Sequence, residues 1–304
     1  MYYSFRKSFA LAAAGLLATT ALPACAQPAP QPQTQDADPA LWVVKDADTT
    51  IYLFGTVHVL KPGLSWFDEA VKTAFDDSKE LVLEMVEPDA QTMQGIIMSK
   101  AIAAPGTPAL STQLPEDKRD YYLKSIGELG IPAQAADRLK PWFAGMTLTM
   151  GPVMKAGYDP KQGAEKVLTE AAKAAGKPVS GLETAEQQIG FFDGMTAEAQ
   201  LTFLKTTLDE LPKGVQTLDT MIVDWAKGDP DALARTMNEG LKDSPEVAKT
   251  ILYDRNARWA TWIHERMKQP GTVFVAVGAG HLAGDNSVQA KLADYQLKAT
   301  RIEY

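Results

Sequence analysis

Two copies of one four-residue pattern, G-x-x-H, stand near opposite ends of this chain and constrain its fold more than any other feature. Gly55-Thr56-Val57-His58 follows the apolar run Ile51-Tyr52-Leu53-Phe54, and Gly278-Ala279-Gly280-His281 follows Thr272-Val273-Phe274-Val275-Ala276-Val277. Each reads as a buried strand that ends in a glycine turn, with an imidazole just beyond it. The chain has three histidines, and two of them close these matched units. Histidine is the commonest metal ligand and the usual base at neutral pH. The placement therefore points to one shared site assembled from both ends of the chain.

The intervening pattern is that of an α/β domain: a central mixed sheet flanked by helices, with a helix-rich cap or insert between the two G-x-x-H halves. Residues 41–44 and 51–54 flank a turn-rich Asp46-Ala47-Asp48 and predict a hairpin. Ser65 with Asp68 three residues on resembles a capping box, predicting a helix from there to about Asp77. Residues 80–85 read as a short buried strand. Residues 90–155 read as helices broken by Pro105, Pro108, Pro115, Pro132 and Pro141. A helix over 162–176 stops at Gly176, and residues 177–183 form a strand ending at Glu183. Helices follow at about 197–210, 218–227, from 229, and from 244 to about 268. Strands at 272–277 and 299–303 end the chain.

The N-terminus reads as a signal peptide over residues 1–26: basic Arg6 and Lys7, then an alanine-rich apolar stretch too short and weakly apolar for a good membrane span. Ala24-Cys25-Ala26 suits ordinary cleavage before Gln27. Leu22-Pro23-Ala24-Cys25 loosely fits a lipoprotein box, and lipidation at Cys25 is the one route to a membrane. Either way a periplasmic or secreted location is expected. Residues 27–39, rich in Pro, Gln and Ala, read as a flexible linker, leaving 40–304 as the folded domain. Cys25 is the sole cysteine, so after ordinary cleavage any metal must be held by His, Asp, Glu, Asn or Gln. Removing Arg6 and Lys7, the only charges in residues 1–26, takes the formal charge from −8 to −10. An acidic chain without basic tracts excludes nucleic acid as its main partner.

Four strand runs end in a candidate ligand or base: His58, Glu84, Glu183 and His281. In open α/β sheets ligands bind beyond the carboxyl ends of the strands. Two imidazoles and a carboxylate suit a divalent first-row metal, and a second carboxylate can act as base on a bound water. Glu84, within Leu81-Val82-Leu83-Glu84-Met85, is expected to be buried and therefore paired or liganding. Glu183 either joins the site or simply opens a helix. In the last long helix Ala248, Leu252, Trp259 and Ile263 mark an apolar stripe, with Arg255 and Asn256 on or beside it. Arg255 is read either as holding a substrate carboxylate or as paired with Glu84 or Glu183. His264 falls off the stripe and reads as surface. Met146, Met150 and Met154, at helical spacing, read as core, and Trp142 as a cleft wall or core anchor. The chain has no P-loop, no G-x-G-x-x-G after a strand, no G-x-S-x-G and no H-E-x-x-H.

On these residues the chain resembles the TraB/PrgY/GumN family, which includes the TIKI proteases, and looks closest to the GumN-like bacterial branch. The resemblance spans nearly all of residues 40–304. Its carriers are Leu53-Phe54-Gly55-Thr56-Val57-His58, Leu83-Glu84, Gly181-Leu182-Glu183-Thr184, Arg255-Asn256 and Val277-Gly278-Ala279-Gly280-His281. Gly157-Tyr158-Asp159-Pro160, Ala175-Gly176-Lys177-Pro178 and Lys140-Pro141-Trp142 are also similar. The resemblance implies a divalent-metal hydrolase fold with His58, Glu84 and His281 at the metal centre, and Arg255 and Asn256 as supports. The family counterpart of Glu183 has a less defined role. The TIKI branch implies manganese- or cobalt-dependent proteolysis of short N-terminal segments, with zinc or iron as alternative metals and a peptide as substrate. Other members are described as regulators, and the similar protein ChaN binds haem. The alternative is thus a non-catalytic peptide- or haem-binding protein using the same cleft.

Overall fold

The computed structural model describes residues 34–303 apart from 242–243. The signal-peptide reading, Cys25 and residues 27–33 lie outside the described residues. The strands are β1 (Gln35–Asp36), β2 (Leu41–Lys45), β3 (Thr49–Thr56), β4 (Leu64–Ser65), β5 (Glu80–Met85), β6 (Val179–Glu183), β7 (Gly271–Gly278) and β8 (Thr300–Ile302). Six of these form one mixed sheet, ordered β6-β5-β7-β3-β2-β8. The first four are mutually parallel, and β2 runs antiparallel to both β3 and β8. The expected hairpin is β2–β3, with Leu41 opposite Phe54.

The parallel strands explain the continuous apolar runs. Phe54, Leu81, Leu83, Phe274 and Ala276 face one side of the sheet, while Ile51, Leu53, Val82, Val273, Val275 and Val277 face the other. A strand covered on both faces has no solvent side, so the polar alternation disappears. The helices that follow in chain order are α1 (Glu69–Asp77), α2 (Ala90–Ala101), α3 (Glu116–Gly127), α4 (Ala133–Ala136), α5 (Pro141–Lys155) and α6 (Ala164–Ala174). After β6 come α7 (Ala185–Asp193), α8 (Ala197–Glu210), α9 (Gly214–Ala226), α10 (Pro230–Leu241), α11 (Pro245–Ala248), α12 (Asp254–Arg266) and, after β7, α13 (Val288–Leu292). Residues of α1, α6, α9 and α10 cover the first face, and those of α12 and α13 the second. A separate apolar core unites α3, α4, α5 and α8, and another joins α2, α5, α8 and α11. The helix-rich segment thus has cores of its own.

Several boundaries differ from the sequence reading. Residues 35–36, assigned to the linker, pair in parallel with Leu64 and Ser65, and Ala37 is buried. Two residues of backbone pairing are invisible in a Pro/Gln/Ala-rich composition. That pairing also claims Ser65, so α1 begins only at Glu69, its N-cap Asp68 makes no side-chain cap, and the Ser65 hydroxyl donates to Asp68 instead. α9 starts at Gly214 rather than near 218. The last long helix is continuous from α11 to α12, but through a π turn, Lys249–Tyr253. On α5, Met146 is half-buried while Met150 and Met154 are 40% and 45% exposed, against the core reading. The buried stripe instead runs Trp142–Gly145–Leu148. Trp142 is a core anchor at 0% exposure.

Candidate functional site

Because β6, β5, β7 and β3 are adjacent and parallel, their carboxyl ends bring Glu183, Glu84, the Gly278 turn and the His58 turn to one rim. Thr56 pairs with Gly278 across β3 and β7. The two motif glycines make this possible. A Cβ on Gly55 would meet the Ala279 Cα at 3.0 Å, so the first motif leaves room for the second. A Cβ on Gly278 would meet Glu84 Oε1 at 3.0 Å, the His281 Cδ2 at 3.6 Å and the His58 Nε2 at 3.7 Å. Three of the expected residues therefore surround one glycine.

Glu84 is buried, and both its oxygens are hydrogen-bonded. Oε1 accepts the Gly278 N–H at 2.7 Å and lies 3.6 Å from His281 Nε2. Oε2 accepts from Arg255 Nη2 at 2.6 Å and Gln188 Nε2 at 3.1 Å. Burial opposes its charge, but the His281 and Arg255 side chains and the Gly278 N–H outweigh that and hold its pKa down at about 2. At neutral pH Arg255 and the protonated His58 supply the positive charge, because His281 is itself held neutral.

The tautomer of His281 follows from its neighbours. Arg255 only donates, and its Nη1 is 3.1 Å from His281 Nε2, so Nε2 is an acceptor. The proton is then on Nδ1, which donates to Asn256 Oδ1 at 2.5 Å. Asn256 is oriented in turn by donating Nδ2 to the Asn286 carbonyl at 2.7 Å. The ring packs on Trp259 with centroids 4.3 Å apart. Burial pushes its pKa down to about 3, with Glu84 opposing and Arg255 assisting.

His58 is the reverse case. Its Nδ1 is 2.6 Å from Glu165 Oε1, and that oxygen also accepts from the Thr56 hydroxyl at 2.5 Å. The ring has protein on several sides yet is open to water over 70% of its side chain. Desolvation works against the charge, but the hydrogen bond and charge of Glu165 outweigh it and raise the pKa to about 9. Glu183 receives Arg255 Nε at 3.0 and 3.1 Å, Arg255 Nη2 at 2.7 Å and Gln188 Nε2 at 3.2 Å. It also precedes α7, whose Thr184 cap is a complete capping box with Gln187. Glu183 is thus the last residue of β6 and lies within the cluster, while Thr184 rather than Glu183 opens the helix. Arg255 is the ion-pair bridge between Glu84 and Glu183.

His264 lies outside this cluster, half-exposed and stacked on Tyr295 at 4.6 Å. Sequence reasoning did not find Glu165, Gln188 or Arg258. Glu165 had one available signal, a carboxylate in the first turn of a helix shortly after Gly157-Tyr158-Asp159-Pro160. Gln188 and Arg258 had none beyond lying one turn from Thr184 and Arg255.

The profile of the TraB/PrgY/gumN family matches residues 40–301. The chain is 24% identical to the uncharacterized protein YbaP of Escherichia coli K12 over 258 residues, covering 84% of this chain and 92% of that one. It is 23% identical to an uncharacterized protein of Treponema pallidum over 267 residues, covering 81% and 78%. No solved structure matches it.

Proposed function

The chain belongs to the TraB/PrgY/gumN family, and on that premise we propose that it is a metal-dependent hydrolase, a peptidase acting outside the cytoplasm on short peptides or N-terminal segments. One observation carries the reading. Both G-x-x-H imidazoles are tethered through Nδ1, to Glu165 and Asn256, and present Nε2 near Gly278 and Glu84. Metal-bound histidines are oriented through their other ring nitrogen in this way.

The donor set, two imidazole nitrogens and one carboxylate with no thiolate, fits a divalent first-row metal, and the resemblance to the TIKI branch favours manganese or cobalt before zinc or iron. Among the described residues no three His, Cys, Asp or Glu groups are close enough to enclose an ion as they stand. The Arg255 guanidinium bonds both Glu84 and His281, so metal binding competes with the Arg255–His281 hydrogen bond. His58, His281 and Glu84 would hold the metal, which when bound supplies a Lewis acid and lowers the pKa of water. The other residues act on these three. Asn256 keeps the His281 Nε2 lone pair available. Glu165 stabilises a proton on His58 until a ligand displaces it. Glu183 and Gln188 brace Arg255 and Glu84, and Arg255 offsets the buried carboxylates.

The test is metal content of the mature protein after loading with manganese, cobalt, zinc or iron. About one metal per chain is expected, lost in His58→Ala and in His281→Ala, with peptide cleavage abolished by chelator and restored by manganese. Normal metal affinity in both variants, or none in the folded wild type, sinks the proposal. A non-catalytic peptide- or haem-binding role has one observation in its favour: Arg255 already occupies the His281 Nε2, leaving His58 as the accessible imidazole. A Soret band that depends on His58 alone would favour that reading.

A further inference from the structure

Glu183 is already held by two neighbours. Arg255 and Gln188 already supply four contacts between 2.7 and 3.2 Å. Arg258, one turn beyond Arg255 on α12, approaches Glu183 Oε1 only to 3.6 Å, too far for a hydrogen bond. Among the described residues Arg258 has no hydrogen-bond partner in the protein. Yet it is not a loose surface side chain. Half-exposed, it rests over the Phe191 ring with its guanidinium carbon 5.0 Å from the centroid, and Arg255 lies over the same ring at 5.6 Å. Gln188 and Phe191 are one turn apart on α7, as Arg255 and Arg258 are on α12. The two helices therefore interleave into a ladder that runs from buried Glu84 outward to Arg258.

A guanidinium held against an aromatic face has lost much of its rotamer freedom in advance, while its fork of N–H groups stays unspent. That fork matches a carboxylate in paired, charge-assisted hydrogen bonds. Glu183 does not fill it: Arg255 and Gln188 hold that carboxylate, three of their contacts on Oε2, and Arg258 Nη2 stays 3.6 Å from Oε1, an ion pair without a hydrogen bond.

We propose that Arg258, seated on Phe191, is the substrate-anchoring residue of this site and takes a carboxylate of the bound peptide, either its free C-terminus or an acidic side chain. This rests on the peptidase reading only for the kind of molecule that bears the carboxylate. If Arg258 merely reinforced Glu183, its loss would weaken every peptide equally.

The test uses the mature chain as wild type, Arg258→Gln, Arg258→Lys and Phe191→Leu, each checked by its thermal melt. The probes are dye-labelled hexapeptides of one neutral sequence in three forms: C-terminal amide, free C-terminal acid, and amide with one glutamate. Binding is read by fluorescence anisotropy, and cleavage is followed separately. The wild type binds a carboxylate form about tenfold more tightly than the neutral amide, and which form it prefers identifies the source. Arg258→Gln abolishes the preference, while Arg258→Lys and Phe191→Leu keep part of it. Where cleavage occurs, Arg258→Gln acts on KM more than on kcat. Equal binding of all three forms, binding of none, or a preference that survives Arg258→Gln overturns the proposal. An Arg258-dependent preference without cleavage overturns the peptidase reading and keeps the anchor. Cleavage without any preference does the opposite.

Discussion

Glu165 and Asn256 treat their histidines in opposite ways. Both accept from Nδ1, but only Glu165 carries a charge, so it favours the imidazolium where Asn256 does not. Glu165→Gln should therefore drop the His58 pKa from about 9 towards its ordinary value of about 6.5, read by NMR titration of the imidazole protons. A value still near 9 would mean that Glu165 is not the cause. His281 gives a stability prediction. Its folded pKa, about 3, lies below its ordinary 6.5, so the unfolded chain takes up the proton first as pH falls. The contribution is fully present above about 6.5 and is lost as pH falls towards 3. Glu84, lowered from 4.5 to about 2, adds a further loss in that lower range. Melting in chelator should fall less steeply with acid between pH 6.5 and 4 in His281→Gln than in the wild type. Equal slopes would assign the loss to other groups.

At the scale of elements, the site depends on close backbone approaches that only glycine permits. At Gly163, just before α6, a Cβ would stand 2.2 Å from the His58 carbonyl oxygen, and the Ala164 N–H bonds the Val57 carbonyl at 3.0 Å. The start of α6 is thereby locked to the first histidine turn, which is how Glu165 meets His58. Gly163→Ala should destabilise the fold by about 1–3 kcal/mol and lower the His58 pKa by pulling the two apart. A melt and a titration both at wild-type values would show that the contact relaxes freely. On α12, the apolar stripe located Arg255 and Asn256 correctly, since both point inward. The π turn before them was not legible, because an extra residue per turn leaves no mark in local composition.

For the whole molecule, the two-faced sheet, the hairpin and the order of helices were legible because burial on both faces, turn residues and helix caps are written locally. The β1–β4 pairing was not. A chain begun at Leu41 loses that pairing and the buried Ala37. It should melt about 2–4 °C below one begun at Thr34, if about 1 kcal/mol is lost. Identical melts would make the pairing energetically idle. What the amino-acid sequence determined by itself was the set of strand ends bearing His58, Glu84, Glu183 and His281, and the layering of a mixed sheet flanked by helices; the strand order that makes those ends adjacent was not among it. Periodicity and glycine turns act over a few residues and need no partner. Only the tertiary structure decided who faces whom: Arg255 between two glutamates, one of them 171 residues away, Glu165 on His58, and Arg258 beside Glu183 with no hydrogen bond among the described residues. Those pairings depend on which helix face meets which strand end, and that is set by packing across the whole fold rather than by any local pattern.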